Sequence, residues 1–204
     1  MPTSWSTRKR SNLLRIVPMK LRYKIALASG IFAAAFSTGC QSLPENPPQT
    51  VQSVDLERYA GLWFELARLP VPFQGSDELA LAEYELNDEG TIDLVNTAFP
   101  PDGSKRSVTG TAVPVEGSDN AKLKVSIDNF FAQLFGSPPE YGNYWILKLE
   151  PDYSIALVGS PDRDTLWLLS KMPEISQAKF DRYIDYAEQI GYDTSDLIVN
   201  NGDF

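Results

Sequence analysis

Between Gly61 and Lys171 the chain is a succession of short β-like runs, each closed off by turn residues, and this pattern limits the folds open to it. The runs are "GLWFELARL" (61–69), "LALAEYEL" (79–86), "TIDLVNTAF" (91–99), "SVTGTAVPV" (107–115), "AKLKVSI" (121–127), "YWILKLE" (144–150), "YSIALVGS" (153–160) and "TLWLLSK" (165–171). Turns such as "NDEG" and "PDRD" link neighbours, so an antiparallel meander is predicted. Closing such a meander removes its exposed edges, which gives an all-β fold: an eight-stranded antiparallel up-and-down β-barrel. Eight strands enclose a space just wide enough for one small ligand.

A single amphipathic segment follows the last run. In "ISQAKFDRYIDYAEQIG" the residues Phe180, Tyr183, Ile184, Ala187 and Ile190 share one helical face. Ser176 stands at the N-cap, Ile175 and Phe180 at the positions of a hydrophobic staple, and Gly191 at the stop. The helix is expected to pack outside the barrel, in a structural role.

Ahead of the runs lies a leader. "MKLRYK" (19–24) is basic, "IALASGIFAAAF" (25–36) is apolar, and "STGC" (37–40) ends at the one cysteine of the chain. The apolar run falls short of the roughly 20 residues that span a bilayer and reads as a secretory signal, with Met19 an alternative start. A cysteine in this place resembles a bacterial lipoprotein signal, although Ser37 stands where leucine is usual. The resemblance implies lipidation of Cys40 and a membrane anchor, and Gln41 in place of aspartate implies the outer membrane. The expected division is 1–39 signal, 40–57 lipidated cysteine and flexible tether ("QSLPENPPQTVQS"), and 58–204 barrel with helix.

Charge and composition narrow the function. The leader to residue 40 holds seven of the 18 Lys/Arg, which leaves 11 against all 27 Asp/Glu and a formal charge of −16 on the body. An acidic body argues against nucleic acid, whose phosphates need clustered cations. With no histidine, Ser-His-Asp and Cys-His catalysis and histidine-based metal sites are excluded, and no metal or cofactor is expected. Carboxylates remain, but "DRD" (162–164) reads as turn capping and Glu65 as a lone acid. The chain is therefore read as a binding protein and not an enzyme. Two alternatives are a structural envelope protein with a filled barrel and a carboxylate-dependent lipid-modifying enzyme.

"GLWFELAR" near the start, "PDYSIALVGSPDRDTLWLLSK" near the end and a closing helix together resemble the lipocalin family, in particular the bacterial outer-membrane lipoprotein lipocalins similar to apolipoprotein D. The resemblance covers about Val54 to Val199. It places Gly61 and Trp63 in the family's first motif, Asp152 and Tyr153 in its Asp-Tyr motif, and Lys171 where the family usually has arginine. In that family the indole closes the barrel floor and the basic side chain packs across it, so these residues are expected to be structural.

If Trp63 points inward beneath Lys171, alternation puts Thr165, Trp167 and Leu169 inward too. Tyr144 matches a cavity-lining tyrosine of similar bacterial proteins, and Tyr84 and Phe99 are further candidates for the cavity wall. The resemblance implies fatty acids or lysophospholipids as ligands, stored or carried in the envelope at the periplasmic face of the outer membrane, in membrane maintenance under stress, and a homodimer as some similar proteins form. The segment 128–143, with Phe130, Phe131, Leu134 and Phe135, is read either as rim packing or as an apolar lid or membrane contact.

Overall fold

A computed structural model of the chain describes residues 42–128 and 137–200. A short helix α1 (Leu56–Tyr59) leads into eight strands: β1 (Gly61–Arg68), β2 (Leu79–Leu86), β3 (Ile92–Phe99), β4 (Arg106–Pro114), β5 (Lys122–Ile127), β6 (Tyr144–Leu149), β7 (Ile155–Gly159) and β8 (Leu166–Ser170). Helix α2 (Gln177–Gln189) and a two-residue strand β9 (Ile198–Val199) follow. All eight expected strands are present, within a residue or two of their expected bounds.

Each strand pairs antiparallel with the next, and β1 pairs with both β2 and β8, which closes the barrel. The first half of β1 faces β2 (Gly61 opposite Tyr84, Phe64 opposite Leu81) and its second half faces β8 (Arg68 opposite Trp167). Along β8 the register shifts between Glu65 and Ala67. This bulge leaves Leu66, Ala67 and Leu69 in the outer core and returns Arg68 to the side of Glu65.

Alternation along the strands builds two cores. Trp63, Tyr84, Ile92, Leu94, Leu123, Ile146, Val158 and Leu169 belong to the inner one. Leu66, Leu147, Leu157, Leu168, Tyr183 and Ala187 belong to the outer one, beneath α2. Strand β7 is covered on both faces, which accounts for its unbroken apolar sequence. Among the described residues both cores draw on positions between Val51 and Leu197.

Helix α2 packs outside the barrel as its periodicity requires. Tyr183 and Tyr186 also donate to the carbonyls of Ile155 and Leu147, both at 3.3 Å. Ser176 occupies the N-cap with an extended backbone, but its side chain makes no capping hydrogen bond. Only its carbonyl is engaged, by Lys179 and Phe180 N–H. Gly191 ends the helix at φ +94°, and its N–H bonds Glu188 O at 2.9 Å.

The extended tether expected over 40–57 is bonded to the barrel from Asn46 onward. Arg163 Nη2 donates to Asn46 O at 3.0 Å, Val51 N–H to Ile146 O at 2.9 Å and Val54 N–H to Asp119 O at 2.9 Å. Pro48 and Val54 are buried, whereas Leu43, ahead of the first of these bonds, is exposed. The leader, Cys40 and the aromatic group Phe130, Phe131, Leu134 and Phe135 lie outside the described residues.

Leu168 is 1 % exposed, in the outer core, and faces away from the barrel interior. Leu168→Ala should lower unfolding free energy by about 2–5 kcal/mol in urea titration, while leaving ligand affinity of the folded chain unchanged.

Candidate functional site

The closed end of the barrel is a set of interlocking contacts around Trp63. Its side chain is fully buried, and Nε1 donates to Tyr59 O at 2.8 Å, across the turn made by α1. Lys171 Nζ lies 4.2 Å over the indole and donates to Tyr59 O at 3.2 Å and to Ala60 O. Burial pulls the Lys171 ammonium down to about 8. Gly61, at φ +102°, leaves the space that the ammonium fills: a Cβ there would meet Lys171 Nζ at 3.2 Å.

The Asp-Tyr pair holds the same end from the β6–β7 turn. Asp152 Oδ1 accepts from Ser154 N–H at 3.0 Å and from its hydroxyl at 2.6 Å, and these bonds hold the carboxyl below its ordinary range. Tyr153, at φ +63°, accepts from Asp55 N–H at 2.9 Å and stacks under Arg58, whose guanidinium is 4.0 Å from the ring centre. Arg58 also donates to Pro151 O at 2.9 Å. The motif thus fastens α1, and with it the backbone that carries Trp63's partner.

Above this floor the barrel encloses a cavity of about 920 Å³. Most of its wall is apolar, with Ile92, Leu94, Leu123, Val125, Val158 and Leu169 among the lining residues. Tyr84, Tyr144 and Trp167 line it, and so does Thr165, as alternation on β8 predicts. Phe99 does not. On β3 the lining residues are Ile92, Leu94, Asn96, Thr97 and Ala98, and Phe99, the last residue of the strand, is not among them.

Tyrosine hydroxyls form the polar feature of the lower cavity. Tyr144 OH lies 2.7 Å from Tyr59 OH and 3.3 Å from Tyr84 OH, so one phenol joins two others. Tyr59 and Tyr84 stack with ring centres 5.9 Å apart, and Tyr84 meets Tyr144 edge-on at 6.4 Å. Burial pushes Tyr59 and Tyr144 well above the usual phenol range and Tyr84 up to about 12, so all three are neutral donors and acceptors. Tyr59 escapes sequence reasoning because it precedes the first strand; its spacing of four residues from Trp63 is the signal that marks it.

Higher in the cavity Glu65, 5 % exposed, accepts from Gln74 Nε2 at 3.0 Å and pairs with Arg68 Nε at 3.1 Å. Gln74 and Gly75 belong to the β1–β2 loop, and Arg68 Nη2 donates to Gly75 O. Glu78, at the end of that loop, meets Arg106 Nη2 at 2.6 and 2.5 Å. These bonds fix the loop, with Pro70, Val71, Pro72 and Phe73, as one wall of the cavity's open end.

A closed up-and-down barrel with one end plugged and an apolar interior space defines a protein built to hold a small hydrophobic molecule. The chain belongs to the lipocalin family, the Lipocalin-like domain model matching residues 54–201. Outer membrane lipoprotein Blc of Escherichia coli K12 is 34% identical over 176 residues, 85% of this chain and 94% of its own length. Rat apolipoprotein D is 32% identical over 133 residues, 62% of this chain and 65% of its own. Among solved structures, lobster apocrustacyanin A1 superposes with a TM-score of 0.55 at 14% identity, over 78% of this chain and 92% of its own, a likeness of fold.

Gly61→Ala forces a side chain into a left-handed conformation and against Lys171 Nζ. It should cost about 1–3 kcal/mol of stability by chemical denaturation, and the buried Trp63 emission should shift to the red as water reaches the floor.

Proposed function

We propose that this lipocalin binds lipid-derived molecules with an acyl chain, fatty acids or lysophospholipids, and stores or carries them while anchored to the outer membrane through a lipidated Cys40. The observation that carries the reading is the cavity of about 920 Å³, apolar over most of its wall. Its volume is within the range of about 300–1,000 Å³ usual for small-molecule sites. Burial of an acyl chain in such a wall stabilises the complex by about 25 cal/mol per Å² before the costs of association are subtracted.

A filled barrel with a purely structural role fits less well, because that space is not occupied by side chains. The carboxylate-enzyme reading is weakened by the engagement of Glu65 with Arg68 and Gln74. Outer-membrane attachment is supported by the lipoprotein-like "STGC" ahead of Gln41 and by the similarity to outer membrane lipoprotein Blc. An orientation toward the periplasm, a role in membrane maintenance under stress and a homodimer belong to the same reading, the last measurable by sedimentation of the purified body.

Residues 41–204, purified without the anchor, should release acyl lipid on organic extraction, identifiable by mass spectrometry. Palmitate or lysophosphatidylcholine should then quench or shift tryptophan emission saturably at one ligand per chain. Trp167→Ala, on the cavity wall, should weaken that binding at least several-fold with the circular dichroism of the barrel retained. A folded body with no co-purifying lipid and no saturable response would return the filled-barrel reading. Separately, Cys40→Ser in the full chain should move the protein from the membrane fraction to the soluble fraction.

A further inference from the structure

Glu65 reads in the sequence as an acid without a partner, and the fold gives it three. Gln74 Nε2 at 3.0 Å, Arg68 Nε at 3.1 Å and Asn200 Nδ2 at 3.2 Å all converge on one carboxyl oxygen, Oε1. They come from the β1–β2 loop, from β1 and from the residue after β9, so the contacts that hold Oε1 are spread over three segments. Oε2 has no hydrogen-bond partner among the described residues, although Glu65 lines the cavity. Beside it Arg68 is fully buried and, unlike Glu65, is not among the residues that line the cavity; its Nη1 makes no hydrogen bond among the described residues, and its Nε meets Oε1 as an ion pair without hydrogen-bond geometry.

A buried cation is balanced here by one carboxylate, and a ligand that brought a second would place two carboxyl groups side by side at Glu65, with a single guanidinium behind them, in a medium of low dielectric constant. Like charges so close do not both stay ionised. We propose that Glu65, with the buried charge of Arg68 behind it, is the station for the ligand's polar end, that this end is a carboxylate, and that it binds together with one proton, which comes to rest on Glu65 Oε2 and bridges the two carboxyl groups. The inference rests on the cavity being a lipid site. No bond other than hydrogen bonds changes: solvent supplies the proton, and one negative charge remains beside Arg68.

The surroundings favour this arrangement. Burial pushes the Glu65 carboxyl up to about 7 against the opposing pull of Arg68, so a proton is readily accepted near neutral pH. Among the described residues the other ionisable groups around the same cavity are Tyr59, Tyr144 on β6 and Tyr84 on β2, the last held further from ionisation by the Glu65 charge, Arg106 on β4 with its partner Glu78, and Asp162 and Asp164 on the β7–β8 turn. A ligand with a neutral hydroxyl end needs no proton, since it can donate directly to the ionised Glu65.

The test compares palmitate with hexadecanol, equal in chain length, binding to residues 41–204. Calorimetry at pH 8 in two buffers of different ionisation enthalpy counts protons. Palmitate should take up close to one proton and hexadecanol none. Between pH 7 and 9 palmitate affinity should fall toward tenfold per pH unit while that of hexadecanol stays level. Glu65→Gln, which fixes the protonated shape, should abolish both the proton uptake and the slope and leave palmitate bound at pH 9 more tightly than in the parent chain. Tight palmitate binding by the parent chain without proton uptake would overturn the proposal and leave the lipid site standing. Binding of neither ligand would overturn the lipid site and this proposal together. Should Glu65→Gln fail to fold, the proton count on the parent chain decides alone.

Discussion

The structure depends on β1 joining both ends of the eight-stranded meander. Its first half bonds to β2 and its second half to β8, and this split pairing turns a meander into a closed wall with no free edge around it. A strand can do this only if its side chains satisfy both halves at once. The bulge between Glu65 and Ala67 resolves the conflict, since it lets the outer core receive Leu66 and Ala67 in succession and still returns Arg68 to Glu65. The polar pair of the upper cavity is thus a by-product of the same irregularity that lets β1 serve both neighbours.

At the other end, closure is achieved by a cation and not by apolar packing alone. Lys171 is held over Trp63 by two backbone carbonyls, and the space for it exists because residue 61 has no side chain. Contact of an ammonium with an indole face contributes on the order of 0.5–2 kcal/mol, opposed by the ammonium's own desolvation. The depressed Lys171 value of about 8 reflects that opposition. Lysine, unlike arginine, can shed its proton to escape it, and its single ammonium satisfies both carbonyls without a planar fork.

Much of this was legible in the sequence because period-two alternation holds along strands such as β8, although a bulge interrupts it in β1 and burial of both faces erases it in β7. On β8, the position of Lys171 over Trp63 sets the phase, and Trp167 and Leu169 follow as inward residues. On β3 nothing sets the phase: Phe99 looks as good a lining residue as Ala98, and the structure chooses Ala98. Tyr59 was hidden by its place before the first strand, where a short helix and not alternation determines its direction. Glu65 was visible as an acid, but its partners Gln74 and Asn200 are nine and 135 residues away, a juxtaposition that only the closed barrel creates. Ser176 illustrates the converse, a residue of the right type in the right place whose side chain is not used.

The bonding of the N-terminal segment to the barrel wall has a mechanical consequence. Only six residue steps lead from Cys40 to Asn46, where Arg163 pins the chain. Fully extended they reach about 20 Å. With an acyl group on Cys40, the body would be confined to a layer no deeper than that over the lipid, searching a surface instead of a volume. Molecules leaving the bilayer and the barrel that receives them would then meet at a local concentration set by leash length.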